Sequence, residues 1–446
     1  MKSVHLVRAV ACLAVAAAWA IPLSRPTLVA PDDLTSADRD LLVEVRLLSL
    51  LARPAGLSAQ DRGADEEVRA AGEKLAAEHR DLDNVTRAVA TRVGVELPGA
   101  PSAEEQGSLD AMAAVRGDEF DRLFVQRLRA AHGRVFPMIA AVRASTRNDA
   151  VRGFATTANA YLARHLEYLE DTGLVDHTTL PTVTDVDRSG YKFGQDPIGD
   201  AAATTDDAAD RDFLVRVSQL SLWEQRAGVI AQPRAAGGYV KGVGDLIADE
   251  DRELSKAVLS AALRQRVRLP GRPSAEQRRS LAELEAARGA DFDRAFVEQL
   301  RTAEGELLFE ISVRLAGTRS DVVRELAATA NSTVLRHMAY LEDSGLVRYE
   351  ELPAPPRAAG LTTTGLERDD GIHPAGIWLM LAITVIVGAL TWGRPVDPTH
   401  QTTTHDPSRK AMRHEVPGNP QTAWIPGRQG AAQVRQAAQV RRAPEV

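Results

Sequence analysis

The sequence predicts an all-α protein built as two tandem four-helix bundles followed by a C-terminal transmembrane helix. Three observations carry this. Apolar residues make up 44% of the 446 but aromatics only 4%, with alanine, leucine, valine and arginine abundant, a composition that suits helices packed through small side chains. Adding 172 to every position from Asp38 to Val175 lands without a gap on Asp210 to Val347, so HLEYLEDTGLV at 165–175 returns as HMAYLEDSGLV at 337–347. Finally, residues 375–393 run uncharged and apolar for long enough to cross a bilayer.

Residues 1–25 place Lys2 and Arg8 around the start of an apolar run that ends in Ala18-Trp19-Ala20, the layout of an export signal. The single cysteine, Cys12, lies inside that run, so a processed chain has no disulfide. Within the first repeat, 34–175, apolar positions recur at three and four residues over 34–58, 65–93, 118–145 and 148–172, which predicts four helices. SAQDRGA and ASTRND are short enough to join antiparallel neighbours. GVELPGAPSAEEQGSLDAMAAVRG is long enough to cross the bundle, and one long crossover is the ferritin-like arrangement. Gly173, and Gly345 in the copy, stand where a helix is expected to stop.

The acidic segment 176–209 reads as a linker, 210–347 as the second bundle and 348–374 as a stalk. A repeat of this length is a domain duplication and too long for a solenoid unit. In the span at 375–393, Trp378 and Trp392 sit near the ends. The tail, 394–446, holds eight Lys/Arg against four acids, which places it in the cytoplasm by the positive-inside bias. The expected location is the cell membrane, single-pass, with the bulk of the chain extracytoplasmic. Between the signal and the tail stand 43 basic and 57 acidic residues, a net charge of −14, which argues against a nucleic-acid partner. A cell-envelope protein is the partner such an acidic outer region suggests.

The two repeats contain four histidines, and each occupies an apolar stripe. His79 follows Leu75 and precedes Leu82, His132 lies between Leu128 and Val135, and His165 lies between Leu162 and Leu169. The first helix offers Glu44 beside Leu41 and Leu48. Glu44, His79, His132 and His165 therefore form a candidate metal set, because one divalent transition metal would satisfy three buried imidazoles and a carboxylate together. The alternative is that each imidazole bonds to a neighbouring side chain, a carbonyl or water. In the copy these positions hold Arg216, Asp251, Glu304 and His337. A guanidinium between two carboxylates would replace a bound cation, so the second bundle is expected to hold an ion network and no metal.

This pattern resembles Domain of Unknown Function 4142. The resemblance rests on EHRDL at 78–82, VELP at 95–98, FDRLFV at 120–125 with His132 following, and His165 late in the fourth helix, and it covers 38–175 and 210–347. It implies an exported bacterial protein with a ferritin-like four-helix fold, and it implies no agreed activity. Members tend to carry an acidic residue before the histidines of the second and third helices; Glu78 fits and Ala131 departs.

No G-x-S-x-G, CxxC or HExxH occurs, so no catalytic residue is assigned and hydrolase or thiol-redox chemistry has no support. GGYVKGVGDL at 237–246 suggests a phosphate loop, but Ile247 stands where the third glycine belongs. The expected role is binding or structural at the cell envelope. A metal-dependent oxidase or a metal-storage protein is the alternative, and a dinuclear iron site is disfavoured because neither repeat carries two inward E-x-x-H motifs.

Overall fold

The computed structural model describes residues 34–180 and 206–353. Within these the regular structure is ten α-helices and one short 3-10 turn, with no strand. In the first repeat they are α1 (Ser36–Arg62), α2 (Glu66–Val93), α3 (Ala103–Ala114), α4 (Asp118–Ser145) and α5 (Asp149–Asp171). In the second they are α6 (Asp206–Arg234), α7 (Gly238–Arg264), α8 (Ala275–Ala286), α9 (Ala290–Gly317) and α10 (Asp321–Glu342). The expected signal and span, the tail, most of the linker and most of the stalk lie outside the described residues. Among the described residues no helix is long and apolar enough to cross a membrane.

Local chemistry sets the boundaries. Thr35 and Asp38 form a reciprocal capping box at the start of α1, and the Asp65 and Asn148 side chains accept from backbone N–H groups at the starts of α2 and α5. Gly173 and Gly345 adopt φ of +66° and +70° just past α5 and α10, the left-handed stop their positions predict. The crossover contains a helix that apolar periodicity did not reveal: α3 buries only Met112, and the amide of its N-cap residue Ser102 donates to Glu105.

The chain goes down α1, up α2, back along the crossover, up α4 and down α5. The amide of Gly117, at the start of α4, donates to the carbonyl of Arg62, which ties the crossover's end to the end of α1. α1 packs on α2 and α4, and α5 packs on α2 and α4, closing a four-helix ring. α6, α7, α9 and α10 repeat the arrangement. The tightest approach uses glycine: a Cβ on Gly56 would fall 2.4 Å from the Gly72 carbonyl oxygen, and one on Gly228 would fall 2.2 Å from that of Gly244. The glycine-rich stretch at 237–246 is thus the start of α7, pressed against α6.

The two repeats join along α4 and α9. Arg129 and Arg301, equivalent under the 172-residue shift, are fully buried there. Arg129 donates to the Leu315 and Ala316 carbonyls and pairs with Glu170 at 2.6 Å. Arg301 donates to the Arg143 carbonyl and pairs with Glu342 at 2.8 Å. Each repeat's last residues reach the other repeat. His177 meets Arg324, and the Tyr349 ring lies 3.6 Å from the Arg152 guanidinium. The first residues expected as linker and stalk are therefore packed structure.

Candidate functional site

The inward stripes of α2, α4 and α5 deliver His79, His132 and His165 to one point in the first bundle, all with no solvent exposure. One nitrogen of each faces the others. His79 Nε2 lies 3.0 Å from His132 Nε2, which lies 3.2 Å from His165 Nδ1, and the three fall within 4.8 Å of one another. The opposite nitrogens each have an outer partner. His132 Nδ1 donates to the Leu128 carbonyl at 2.7 Å, His165 Nε2 donates to the Glu78 carboxylate at 3.1 Å, and His79 Nδ1 lies 3.2 Å from the Ser49 hydroxyl. Glu78 also accepts from Arg164 and Tyr168, so it stands as the acceptor in its bond with His165.

These outer bonds decide the tautomers. A carbonyl and a carboxylate accept, so the protons of His132 and His165 sit on their outer nitrogens. Two lone pairs are left facing each other at 3.2 Å, and a proton from His79 serves only one of them. A cation removes the conflict. Nitrogens sharing a tetrahedral metal at about 2.0–2.1 Å stand roughly 3.3 Å apart, close to the observed spacing. Burial pushes all three imidazoles below their usual range, His132 to about 4, so the neutral, ligand-competent form prevails. The residues fit a metal.

Glu44 is not among them. It lies half-buried near α3, where burial and the neighbouring Glu105 push its carboxyl up and Arg134 pulls it down. The reason is helical rise. α1 continues to Arg62 and the turn centres near Ala64, so the residue level with His79 is Ser49, more than one turn beyond Glu44.

The second bundle departs further from expectation. Arg216, at the level of Glu44, pairs with Glu310 at 3.6 Å, a carboxylate outside the expected set. In its stead Glu224, the counterpart of Ala52, points inward one turn beyond Ser221. Glu224, Asp251 and Glu304 have no solvent exposure and His337 has 1%. Ligand atoms of Glu224, Asp251 and His337 lie within 4.8 Å of one another. His337 Nδ1 is 2.7 Å from Glu304 and 3.6 Å from Glu224. Burial, with Glu304 and Asp251 beside it, pushes the Glu224 carboxyl well up; burial likewise raises Asp251, to about 7. Burial alone would depress His337, but Glu304, Glu224 and Glu250 outweigh it and hold the imidazolium well above its ordinary range.

The outer brace is shared. Glu250 accepts from Arg336 at 2.9 Å and Tyr340 at 3.0 Å and lies 3.5 Å from His337 Nε2, repeating Glu78, Arg164, Tyr168 and His165. Sequence reasoning found Asp251, Glu304 and His337 but missed Ser49, Glu78 as brace, and Glu224. A scan for ligand-type residues gained between the copies would have found Glu224 opposite Ala52.

Fold and site together define a class: a duplicated helical-bundle protein with a fully buried polar cluster inside each copy. The chain belongs to the family of the domain of unknown function DUF4142, whose model matches residues 24–172 and again 195–343. Comparison with curated proteins and with solved structures gives no match.

Proposed function

We propose that the chain is a membrane-anchored, extracytoplasmic protein of tandem ferritin-like bundles whose N-terminal bundle binds one divalent transition metal through His79, His132 and His165. Its role is binding at the cell envelope, with the acidic outer region meeting an envelope partner. One observation carries the metal reading: the acceptor nitrogens of His132 and His165 face each other at 3.2 Å in a fully buried interior, each ring fixed by an outer hydrogen bond, and the proton of His79 can serve only one of them. The signal-like start and the apolar run at 375–393 support the location.

Three imidazoles leave a coordination position for an exogenous ligand on a bound metal, and this keeps a metal-dependent oxidase as the second reading. Elsewhere the chain's residues orient the rings and exclude water. Ser49, the Leu128 carbonyl and Glu78 hold them, and Leu75, Val135 and Leu162 on the same helices are buried in the core.

The test is cobalt titration of the purified full chain, read by its visible absorption, alongside the His132→Gln variant. The expected result is a saturable tetrahedral Co²⁺ spectrum that the variant loses while keeping its helical circular dichroism. An unchanged spectrum in the variant refutes the site. Oxygen consumption by the metal-loaded wild type but not by the variant would select the oxidase reading.

A further inference from the structure

The second bundle holds a polar cluster that the metal reading of the first does not use. Three changes separate it from the histidine set: His79 becomes Asp251, His132 becomes Glu304 and Ala52 becomes Glu224. All three new residues are carboxylates, all are fully buried, and all face His337 or one another. A copy that had merely lost a site would fill the space with apolar side chains, because each buried carboxylate without a partner is destabilising. The alanine at position 52 shows that the fold accepts a small apolar residue at this place.

The carboxylates are also short of donors. Neither oxygen of Glu224 or of Asp251 accepts a hydrogen bond of good geometry, and the second oxygen of Glu304 is equally bare. The Ser221 hydroxyl and the Glu224 carboxyl lie beside Asp251 without a well-aligned hydrogen bond. The nearby guanidinium groups have carboxylates of their own, Arg216 pairing with Glu310 and Arg336 with Glu250. His337 provides at most one positive charge for three carboxylates. Its outer nitrogen faces Glu250, which directs Nδ1 inward, the same nitrogen that His165 presents in the first bundle.

We propose that the second bundle is itself a divalent-cation site, formed by Glu224, Asp251, Glu304 and Nδ1 of His337, with a preference for a harder ion such as Mn²⁺ or Fe²⁺ than the three-histidine site of the first bundle selects. Oxygen-rich donor sets favour hard cations and imidazole sets favour zinc, copper and nickel, so the duplication has produced two sites of different taste in one chain. This inference rests on the second bundle alone and stands whether or not the first binds metal.

Manganese titration of the full chain, followed by electron paramagnetic resonance of free Mn²⁺, tests it against Glu224→Ala, Asp251→Asn and His132→Gln. Glu224→Ala restores the residue of the first repeat and relieves a buried carboxylate, so its metal-free melting temperature should equal or exceed that of the wild type. The expected result is one Mn²⁺ per chain in wild type and His132→Gln. Binding should weaken at least a hundredfold in Glu224→Ala and in the isosteric Asp251→Asn, beyond the about 10–100-fold of an outer-shell change. Addition of Mn²⁺ should raise the melting temperature of wild type but not of Glu224→Ala. Absence of saturable Mn²⁺ binding in wild type, or undiminished binding in Glu224→Ala, overturns the proposal and leaves a cluster of protonated carboxyls. Loss of the cobalt spectrum in His132→Gln with retained Mn²⁺ binding separates the two sites.

Discussion

Asn159 and Asn331, separated by the repeat length of 172 residues, hydrogen-bond reciprocally: the side-chain amide of each donates to the oxygen of the other, at 3.3 Å and 2.8 Å. Two equivalent residues touch each other only on a symmetry axis, so this pair marks a pseudo-two-fold relation between the bundles. Arg129 with Glu170 and Arg301 with Glu342 then fall on its two sides.

Both asparagines are buried, at 0% and 3% exposure, and each satisfies the other. Asn159→Ala and Asn331→Ala should each cost about 1–3 kcal/mol by stranding the remaining amide, and the double variant should cost less than their sum. Chemical denaturation of the four proteins checks this; strict additivity would show that the pair is not coupled.

Glu342 governs acid sensitivity. Burial pushes its carboxyl up, but Arg143 and Arg301 outweigh this and hold it at about 2, against an ordinary 4.5. A depressed folded value means stability that is present above the unfolded value and lost as pH falls toward the folded one. Stability on the order of 3 kcal/mol should therefore drain between about pH 5 and pH 2. Urea denaturation across that range should show a shallower pH dependence for Glu342→Gln than for the wild type; parallel curves would contradict this.

Glycine contact between paired helices makes a separate, steric prediction. Gly228→Ala would drive its Cβ to 2.2 Å from the Gly244 carbonyl oxygen, backbone that cannot swing aside. The expected cost is about 1–3 kcal/mol or more, from α6 and α7 moving apart. A thermal melt within a degree of wild type would refute it.

Membrane attachment is tested by length. A chain ending at residue 374 should appear in the soluble fraction and the full chain in the membrane fraction, resistant to carbonate extraction. Equal partition of the two would remove 375–393 as the anchor.

The helical period revealed the four long helices of each repeat, because their buried faces are apolar at three- and four-residue spacing, as in Leu41, Val45 and Leu48. It could not reveal α3, which buries almost nothing, although S-A-E-E at 102–105 is a readable capping box. The three histidines were legible as polar intrusions in apolar stripes. Glu44 misled because an uncertain turn position becomes an error in height, and four residues of shift are a full helical turn. Arg129, Arg301 and the asparagine pair look like ordinary polar helix residues, since the carbonyls and the amide they meet across the seam belong to the other repeat and no local pattern names them.

Self-matching contact along α4 and α9 has a consequence for how the halves can change. Two separate copies meeting across such a face would have identical interiors, so any alteration inside one would appear in both. Carrying both copies in one chain lets unlike halves meet. A mutation such as the arrival of Glu224 can then recast one interior while its neighbour, and the seam between them, stay as they were.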